Sequence, residues 1–406
     1  MEFFRKMKFL ILGAGPAGLA FANRLMERKE TDFLILEKTE EAGGLCKSIM
    51  IDNAPLDIGG GHFIDTCSSQ VLEMLFKYLP FNEWNLFERN SKIFIHNQYI
   101  NSPIEANIWQ MPINTQVEYL KSISIAGCNI NIERPERFVD WIYWKLGDKI
   151  ANDYMIPYNQ KLFGEDLNIL GTYWLNKLPS VSFEETLLSC LKKKAYGKQP
   201  AHAQFYYPKQ YGSGEVWRRI AESIADKIIY NVDIKEIDLN NHFVNGKYYA
   251  DYIINTIPWV EFEKLCAIKN EKEKIIKQLK YASVTIDYFS KDIYSDAQWI
   301  YYPQKEIDYH RILVRKNFTS NGKGFWTETN TNRSKNCKSE YQNTNKYAYP
   351  LNVIGKKEGM KELLDYFSEY DIYGLGRWGE WEHYNSDVVV LRAINLADKL
   401  LSKIQR

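Results

Sequence analysis

Residues 8–25 read KFLILGAGPAGLAFANRL: an apolar run, three glycines at Gly13, Gly15 and Gly18, then a mostly apolar segment. No other stretch restricts the fold of the chain so closely. The run at 9–12 predicts a buried strand, the glycines a tight turn, and the remainder a helix to about residue 28. In that strand–turn–helix context G-x-G-x-x-G has a chemical reading for each glycine. Gly13 permits the turn, Gly15 lets backbone approach a pyrophosphate, and Gly18 lets helix pack closely on strand. The helix begins at Pro16 and Ala17, and its free N–H groups and partial positive charge favour a phosphate there. A second apolar run, DFLILEK, ends in Glu37 and Lys38. Glu37 lies about 20 residues past the glycines, where a carboxylate meets ribose hydroxyls. The segment therefore predicts a Rossmann-like α/β domain that binds a dinucleotide, and leaves NAD and FAD both open.

The rest of the composition narrows the class. A chain of 406 residues is long enough for two domains or one large domain with an insertion. Its formal net charge of +1 gives no electrostatic case for nucleic acid or an anionic membrane surface. No run of 18 apolar residues exists, so no membrane span is expected. The start, MEFFRKMKFLILGAG, has the basic and apolar elements of a signal peptide. Its apolar run passes directly into the glycine turn without a small-residue cleavage site, so no leader is expected. Cys46, Cys67, Cys128, Cys190, Cys266 and Cys337 form no C-x-x-C pair, which fits a reducing cytoplasm; the six histidines lack metal-ligand spacing. With 28 Tyr and 11 Trp, the chain can build a cleft that is apolar and hydrogen-bonding together, as sugars and nucleotides require; a large core with compositional bias is the plainer account.

Two further glycine clusters follow the fingerprint. EKTEEAGGLCKS carries Gly43 and Gly44, and DIGGGHFID carries Gly59, Gly60 and Gly61 before His62. Glycine is needed where backbone comes within contact distance of a flat ligand, and a flexible loop is the alternative. With these residues the sequence resembles the flavoprotein superfamily of amine oxidases, protoporphyrinogen oxidase and UDP-galactopyranose mutase. The resemblance implies FAD, with Gly44 and Leu45 along the cofactor and Gly60, Gly61 and His62 beside the isoalloxazine ring, where no side chain fits. It adds Val232, Gly376, Arg377 and Asn385 to the cofactor contacts. His62 is expected to tune the flavin and its loop rather than to act as a base.

Later segments resemble the UDP-galactopyranose mutases, the eukaryotic-type branch above all. DYMIPYNQKLFG with Trp174 resembles their helical insertion, ADYIINTIP the strand returning to the FAD domain, and IYYPQKEIDYHRILVRKNF a strand pair bearing a phosphate-binding arginine. NKYAYPL and GLGRWGEWEHYNSD resemble the segments that supply tyrosines and close over the flavin. The resemblance implies pyranose–furanose interconversion of a nucleotide-diphosphate sugar through a reduced-flavin N5–sugar adduct, with no net redox change and NAD(P)H as a priming reductant. A role in cell-surface polysaccharide synthesis is implied in the same way. It places Arg311 at the diphosphate with Tyr347, Tyr349 and Tyr384 as hydroxyl donors, and Asn159 and Trp174 in the substrate cleft. Tyr384 is offset by one position from the family spacing.

Two departures stand out. Ile156 replaces the second arginine that the family carries before its PYN segment; Lys161, further along the same helix, is the substitute cation considered. Ser102 and Glu105 stand in YINSPIEANIWQMP where an aromatic residue and a glutamine meet uridine. A carboxylate there suits the paired donors of guanine better than uracil, so the nucleotide and sugar are left open. The loss at Ile156 keeps two alternatives in play: a FAD-dependent oxidase or dehydrogenase acting on a small molecule, and a flavin-binding protein with little turnover. The expected organisation is a discontinuous FAD-binding domain at 1–70, 205–262 and 370–406. A sheet and substrate domain takes 71–130 and 263–369, and a mainly helical substrate region takes 131–204. The polar stretch 330–346 is expected to be a mobile loop near the cleft, and a homo-oligomer is left open.

Overall fold

Phe9, Leu10, Ile11 and Leu12 are all fully buried, as a run must be when both faces of its strand are covered. They belong to the strand Met7–Leu12, paired in parallel with Phe33–Leu36 on one side and Tyr248–Asn255 on the other. The helix Pro16–Glu27 makes the crossover. Ile228–Ile229 and Ile372–Gly374 extend the same sheet, which has seven strands among the described residues. In this computed structural model the described residues are 6–65, 68–164, 166–175, 181–197, 203–268, 270–335 and 338–404. Cys67, Cys337, residues 1–5 of the start and residues 336–337 of the polar stretch lie outside them. The four described cysteines, Cys46, Cys128, Cys190 and Cys266, are free thiols.

The C-terminal helix Ser386–Ile404 lies along Pro16–Glu27, held by Asp398 accepting two bonds from the Arg24 guanidinium at 3.0 and 2.7 Å. The helix Lys356–Ser368 covers the other face of the sheet, packing Met360, Leu363 and Phe367 with Leu10, Trp259 and Phe262.

A second sheet runs Tyr341–Pro350, Tyr281–Phe289, Phe325–Asn330, Arg311–Val314, Trp299–Tyr301, Ser91–Ile95, Gln98–Asn101. Its register sets Tyr301 opposite Arg311 and Arg311 opposite Glu328. Residues directly opposite on neighbouring strands share a face, so these three side chains form one row. The helical region packs on this sheet: Phe138–Ile150 passes through a π-helical turn, Ala151–Met155, into Ile156–Phe163. Phe138, Trp141, Ile142, Leu146 and Ile150 bury against the sheet's core. The fold is thus the expected one, a Rossmann-like domain with a helical insertion and a mixed second sheet.

The polar stretch 330–346 departs from expectation. Residues 341–346 are strand, part of Tyr341–Pro350, because alternate side chains face inward and outward. Its asparagines are used rather than solvated: Asn343 and Asn345 both donate to the Ile58 carbonyl at 2.8 Å, just ahead of the glycine triplet.

Arg315 is fully buried and joins the second sheet to the hairpin of Ser48–Ile51 and Ala54–Asp57. Its guanidinium donates to the carbonyls of Ile51, Ala54 and Pro55 and to Tyr288 Oη. Replacing it strands buried carbonyl acceptors, each costing about 1–3 kcal/mol. Arg315→Met is expected to lower unfolding free energy by about 3 kcal/mol or more, read by denaturant titration; a change within experimental error contradicts this role.

Candidate active site

The strand Met7–Leu12 ends at a turn that only glycine can make. Gly13 has φ +106°, and a Cβ there would stand 2.6 Å from Thr256 Oγ1. A Cβ on Gly18 would stand 2.1 Å from the Gly13 carbonyl oxygen, so helix and strand touch as the spacing requires. The helix Pro16–Glu27 has no side-chain cap at Gly15, and its N-terminus opens on a cavity of about 440 Å³. Gly15 and Gly44 face each other there: a Cβ on Gly44 would lie 3.2 Å from the Gly15 Cα. Glu37 is held at the rim, accepting the Ala14 N–H at 2.8 Å and the Thr39 N–H and hydroxyl at 2.9 and 2.8 Å. A backbone-walled mouth, an uncapped helix end and an oriented carboxylate fit the diphosphate and ribose of a dinucleotide.

Gly13, Gly15, Pro16, Ala17, Glu37, Gly44, Leu45, His62 and Arg377 all line this cavity. Seven expected contacts stand outside its wall, Gly60 and Gly61 among them on the second cavity. Lys38 is exposed and pairs with Asp233 at 3.0 Å. Val232 meets Glu37 only through backbone, its N–H donating to the Glu37 carbonyl at 2.9 Å. Gly18 serves helix packing, and Gly376 does likewise, a Cβ there falling 2.6 Å from Ala17 Cβ. Asn385 lies on the two neighbouring cavities instead.

A second cavity of about 190 Å³ opens between residues 59–63 and the second sheet. The glycine triplet on its wall is also packed against the protein itself. A Cβ on Gly59 would lie 1.7 Å from the Leu45 carbonyl oxygen, and one on Gly61 2.6 Å from the Phe63 ring and 2.7 Å from Leu313. Gly60 has φ +97° and rests against Glu328. His62 stands between the two cavities, its Nε2 3.3 Å from the Gly59 carbonyl. A carbonyl only accepts, so Nε2 carries the proton. Burial, then Arg377, hold the imidazolium form down to about 3, and the ring is neutral near pH 7.

Glu328 closes this cavity from the sheet side. One oxygen accepts the Gly61 N–H at 3.2 Å; the other receives Arg311 Nε at 2.8 Å and Nη2 at 2.6 Å. Burial pushes its carboxyl up, but Arg311 and then His310 overcome this and hold it at about 2. Arg311 Nη2 also donates to Tyr349 Oη at 3.2 Å. Arg377, on the opposite side, donates to the carbonyls of Tyr384 and Ala348 and lines the first and second cavities.

The third cavity, about 570 Å³, continues past Arg311 between the second sheet and the helical region. Phe138, Trp141, Tyr154, Tyr158 and Trp174 give it aromatic walls, and Asn159, Tyr384, Ser102 and Glu105 add polar groups. Burial raises the Glu105 carboxyl above its ordinary range.

Two expected substrate residues are elsewhere. Lys161 is buried with Nζ donating to the carbonyls of Tyr302 at 2.6 Å and Gln304 at 3.1 Å, turned from the cleft by the strand connection it holds. Tyr347 lines the dinucleotide cavity, and its hydroxyl bonds to Glu261. The cause is an irregularity in its strand: Tyr349 pairs with Ala282 but Asn345 with Val284, so residues 346–348 bulge and Tyr347 is aimed away from Tyr349. Conversely, Glu328, Arg89, Tyr301 and His383 line or brace the cleft and were not singled out by the sequence. For Glu328 the available signal was the string FWTETN, four consecutive polar residues closing a strand with no turn chemistry.

Residues 11–79 match the family of NAD(P)-binding Rossmann-like domains. An uncharacterised protein of the nifH2 3′ region of Methanothermococcus thermolithotrophicus is 36% identical over 109 residues, which is 25% of this chain and 98% of that protein. Among solved structures, a reduced UDP-galactopyranose mutase superposes with a TM-score of 0.88 at 21% identity, covering 99% of this chain and 95% of its own. A CLA-producing fatty acid isomerase from P. acnes gives 0.67 at 14% identity, over 97% and 98% of the two chains. Cyclohexylamine oxidase from Brevibacterium oxydans gives 0.67 at 12% identity, over 99% and 100%. The chain thus belongs to one family with the Methanothermococcus protein, over the 109 residues they share, and has the fold of UDP-galactopyranose mutase.

Proposed function

We propose that the protein is a FAD-dependent nucleotide-sugar mutase that interconverts pyranose and furanose rings with no net redox change. The observation that carries this reading is the continuity of the three cavities. His62, Arg377 and Ser386 are shared by the first and second; Arg89, Arg311, His383 and Asn385 are shared by the second and third. An extended diphosphate sugar suits a run of this shape whose throat is walled by three guanidiniums, whereas an ammonium substrate is repelled there. The likeness to UDP-galactopyranose mutase supports the same reading.

FAD in the first cavity, once reduced, would supply a nucleophilic flavin nitrogen beside residues 60–62, with NAD(P)H as the proposed priming reductant. The remaining work falls to the chain. The helix N-terminus and Gly44 receive the cofactor pyrophosphate, Glu37 a ribose, and Gly60, Gly61 and His62 flank the ring. Arg311 and the Tyr349 hydroxyl hold a substrate diphosphate that must leave and return, a task for fixed cations and donors. His62, neutral and tied to the Gly59 carbonyl, sets the loop. Trp174, Asn159, Asn385 and Tyr384 wall the nucleotide-sugar end. There Glu105 presents two acceptor oxygens, which fit the paired N–H donors of guanine, and Ser102 leaves room for a purine.

Dithionite-reduced protein incubated with UDP-, GDP-, dTDP- and CDP-sugars is expected to give a new ring-isomer peak on chromatography, strongest with a GDP-sugar; no new peak with any of them contradicts the proposal. Glu105→Gln is expected to shift the GDP:UDP preference by about tenfold or more toward UDP, measured as a kcat/KM ratio. Arg311→Ala combined with Glu328→Gln, which avoids stranding a buried charge, is expected to cut turnover at least about a hundredfold while the flavin absorbance persists. Full activity in that variant contradicts the diphosphate assignment.

A further inference from the structure

Turning a pyranose into a furanose moves protons even with no net redox change. As the bond from C1 to the pyranose ring oxygen breaks, its electron pair stays on that oxygen, which takes a proton. As the hydroxyl that closes the furanose bonds to C1 with its own lone pair, it gives a proton up. A bare alkoxide in a cleft poor in water is costly, so both transfers call for a positioned acid and base. Both oxygens change hands at C1, the carbon that carries the diphosphate before it leaves, so one group beside the diphosphate holders can serve both. A group that gives the first proton and takes the second ends as it began, and no outside reagent is needed.

Among the described residues on the second cavity's wall, the heads able to hold or release a proton are those of His62, Arg89, Arg311, Tyr349, Arg377 and His383. Guanidiniums do not give up a proton in proteins, which removes the three arginines. His62 donates Nε2–H to the Gly59 carbonyl at 3.3 Å, and burial, then Arg377, hold its charged form down to about 3. The Tyr349 hydroxyl accepts from Arg311 Nη2 at 3.2 Å, and burial pushes its ionisation up. Glu382, Lys357 and Tyr384 stand on the third cavity and not on the second, and Glu382 is paired with Lys356 at 2.7 Å. His383 remains. It lies in the connection between the helices Gly376–Gly379 and Ser386–Ile404 and lines both the second and the third cavity. Its ring sits 4.9 Å from the ring of Tyr349, the residue whose hydroxyl is assigned to the diphosphate. Imidazole is the side chain best suited to pass protons near neutral pH. Arg311 and Arg377 on the same wall oppose its charged form, and the negative charges of a bound diphosphate offset them.

We infer that His383 is the acid–base residue of the sugar step, giving a proton to the pyranose ring oxygen and taking one from the hydroxyl that closes the furanose. This rests on the nucleotide-sugar reading. The test compares His383→Gln and His383→Ala with the wild type in two measurements. One is turnover of the best nucleotide sugar by dithionite-reduced protein; the other is binding of the matching free nucleoside diphosphate to oxidised, FAD-loaded protein by calorimetry. In both variants kcat is expected to fall at least about a hundredfold while diphosphate affinity stays within about twofold of wild type. Added imidazole is expected to raise turnover at least about tenfold in His383→Ala, where the lost ring leaves room for it, and not in His383→Gln. A kcat in His383→Gln within about threefold of wild type overturns the inference and leaves the mutase reading standing. A loss of diphosphate affinity as large as the loss of kcat also overturns it, by making His383 a diphosphate contact. So does a folded, FAD-loaded His383→Ala that imidazole does not restore, or loss of FAD or of the folded state in both variants, either of which makes the residue structural. A wild type that gives no ring isomer with any nucleotide sugar removes the reading on which the inference rests.

Discussion

Arg311 and Glu328 meet because Arg311–Val314 and Phe325–Asn330 pair in one register; a slip of one strand by a single residue would put the two side chains on opposite faces. A buried ion pair is not in itself a source of stability, since desolvation offsets its attraction. Here the remaining valences are filled: Glu328 takes the Gly61 N–H, and Arg311 reaches Tyr349 Oη. The pair thereby fastens the glycine loop to the second sheet. Because the same loop rests its Gly59 on the Leu45 backbone beside the Rossmann turn, the first cavity is joined to the second through Leu45, Gly59, Gly61 and Glu328. Removing either charge alone would leave the other buried without its counterion, at a cost of about 3–5 kcal/mol.

The same joint bears on the choice between chemistries that this fold supports. Its structural relatives include an isomerase and amine oxidases, so fold alone does not decide. What separates them in this chain is the throat between the first and third cavities. Arg377 and Arg311 face it from opposite sides, Arg89 joins from a third, and His62 is kept neutral by burial and by Arg377. Under the proposed function, such a place favours an anion over an amine. Ile156 packs against the hydrophobic core, and Arg89, Arg311 and Arg377 reach the second cavity from other elements.

Much of this was legible in the sequence wherever the chemistry is local. The dinucleotide cavity follows from Gly13, Gly15, Gly18 and Glu37, because turn, helix start and carboxylate are set within one strand–helix–strand unit. Arg311 was recognisable from its neighbours in DYHRILV. Its partner was not, since Glu328 lies 17 residues away and is brought opposite only by sheet register. Tyr347 and Tyr349 read alike in NKYAYPL, two apart on one strand; the bulge between them sends their rings to different cavities, and no local pattern announces it. Lys161 had the spacing of a cleft cation, but the carbonyls of Tyr302 and Gln304 that capture it come from a distant connection. The polar stretch 330–346 looked like a loop because its asparagines bond to Ile58, a partner some 285 residues earlier.

The central claim is that a reduced flavin beside residues 60–62 acts on a bound diphosphate sugar and is reduced again by nothing. The most direct measurement counts product formed per reducing equivalent supplied, under strict exclusion of oxygen, with the sugar nucleotide in large excess. The account predicts many product molecules for each two-electron reduction, with the flavin still reduced at the end. One product per reduction, with the flavin left oxidised, would contradict it and identify the protein as a redox enzyme.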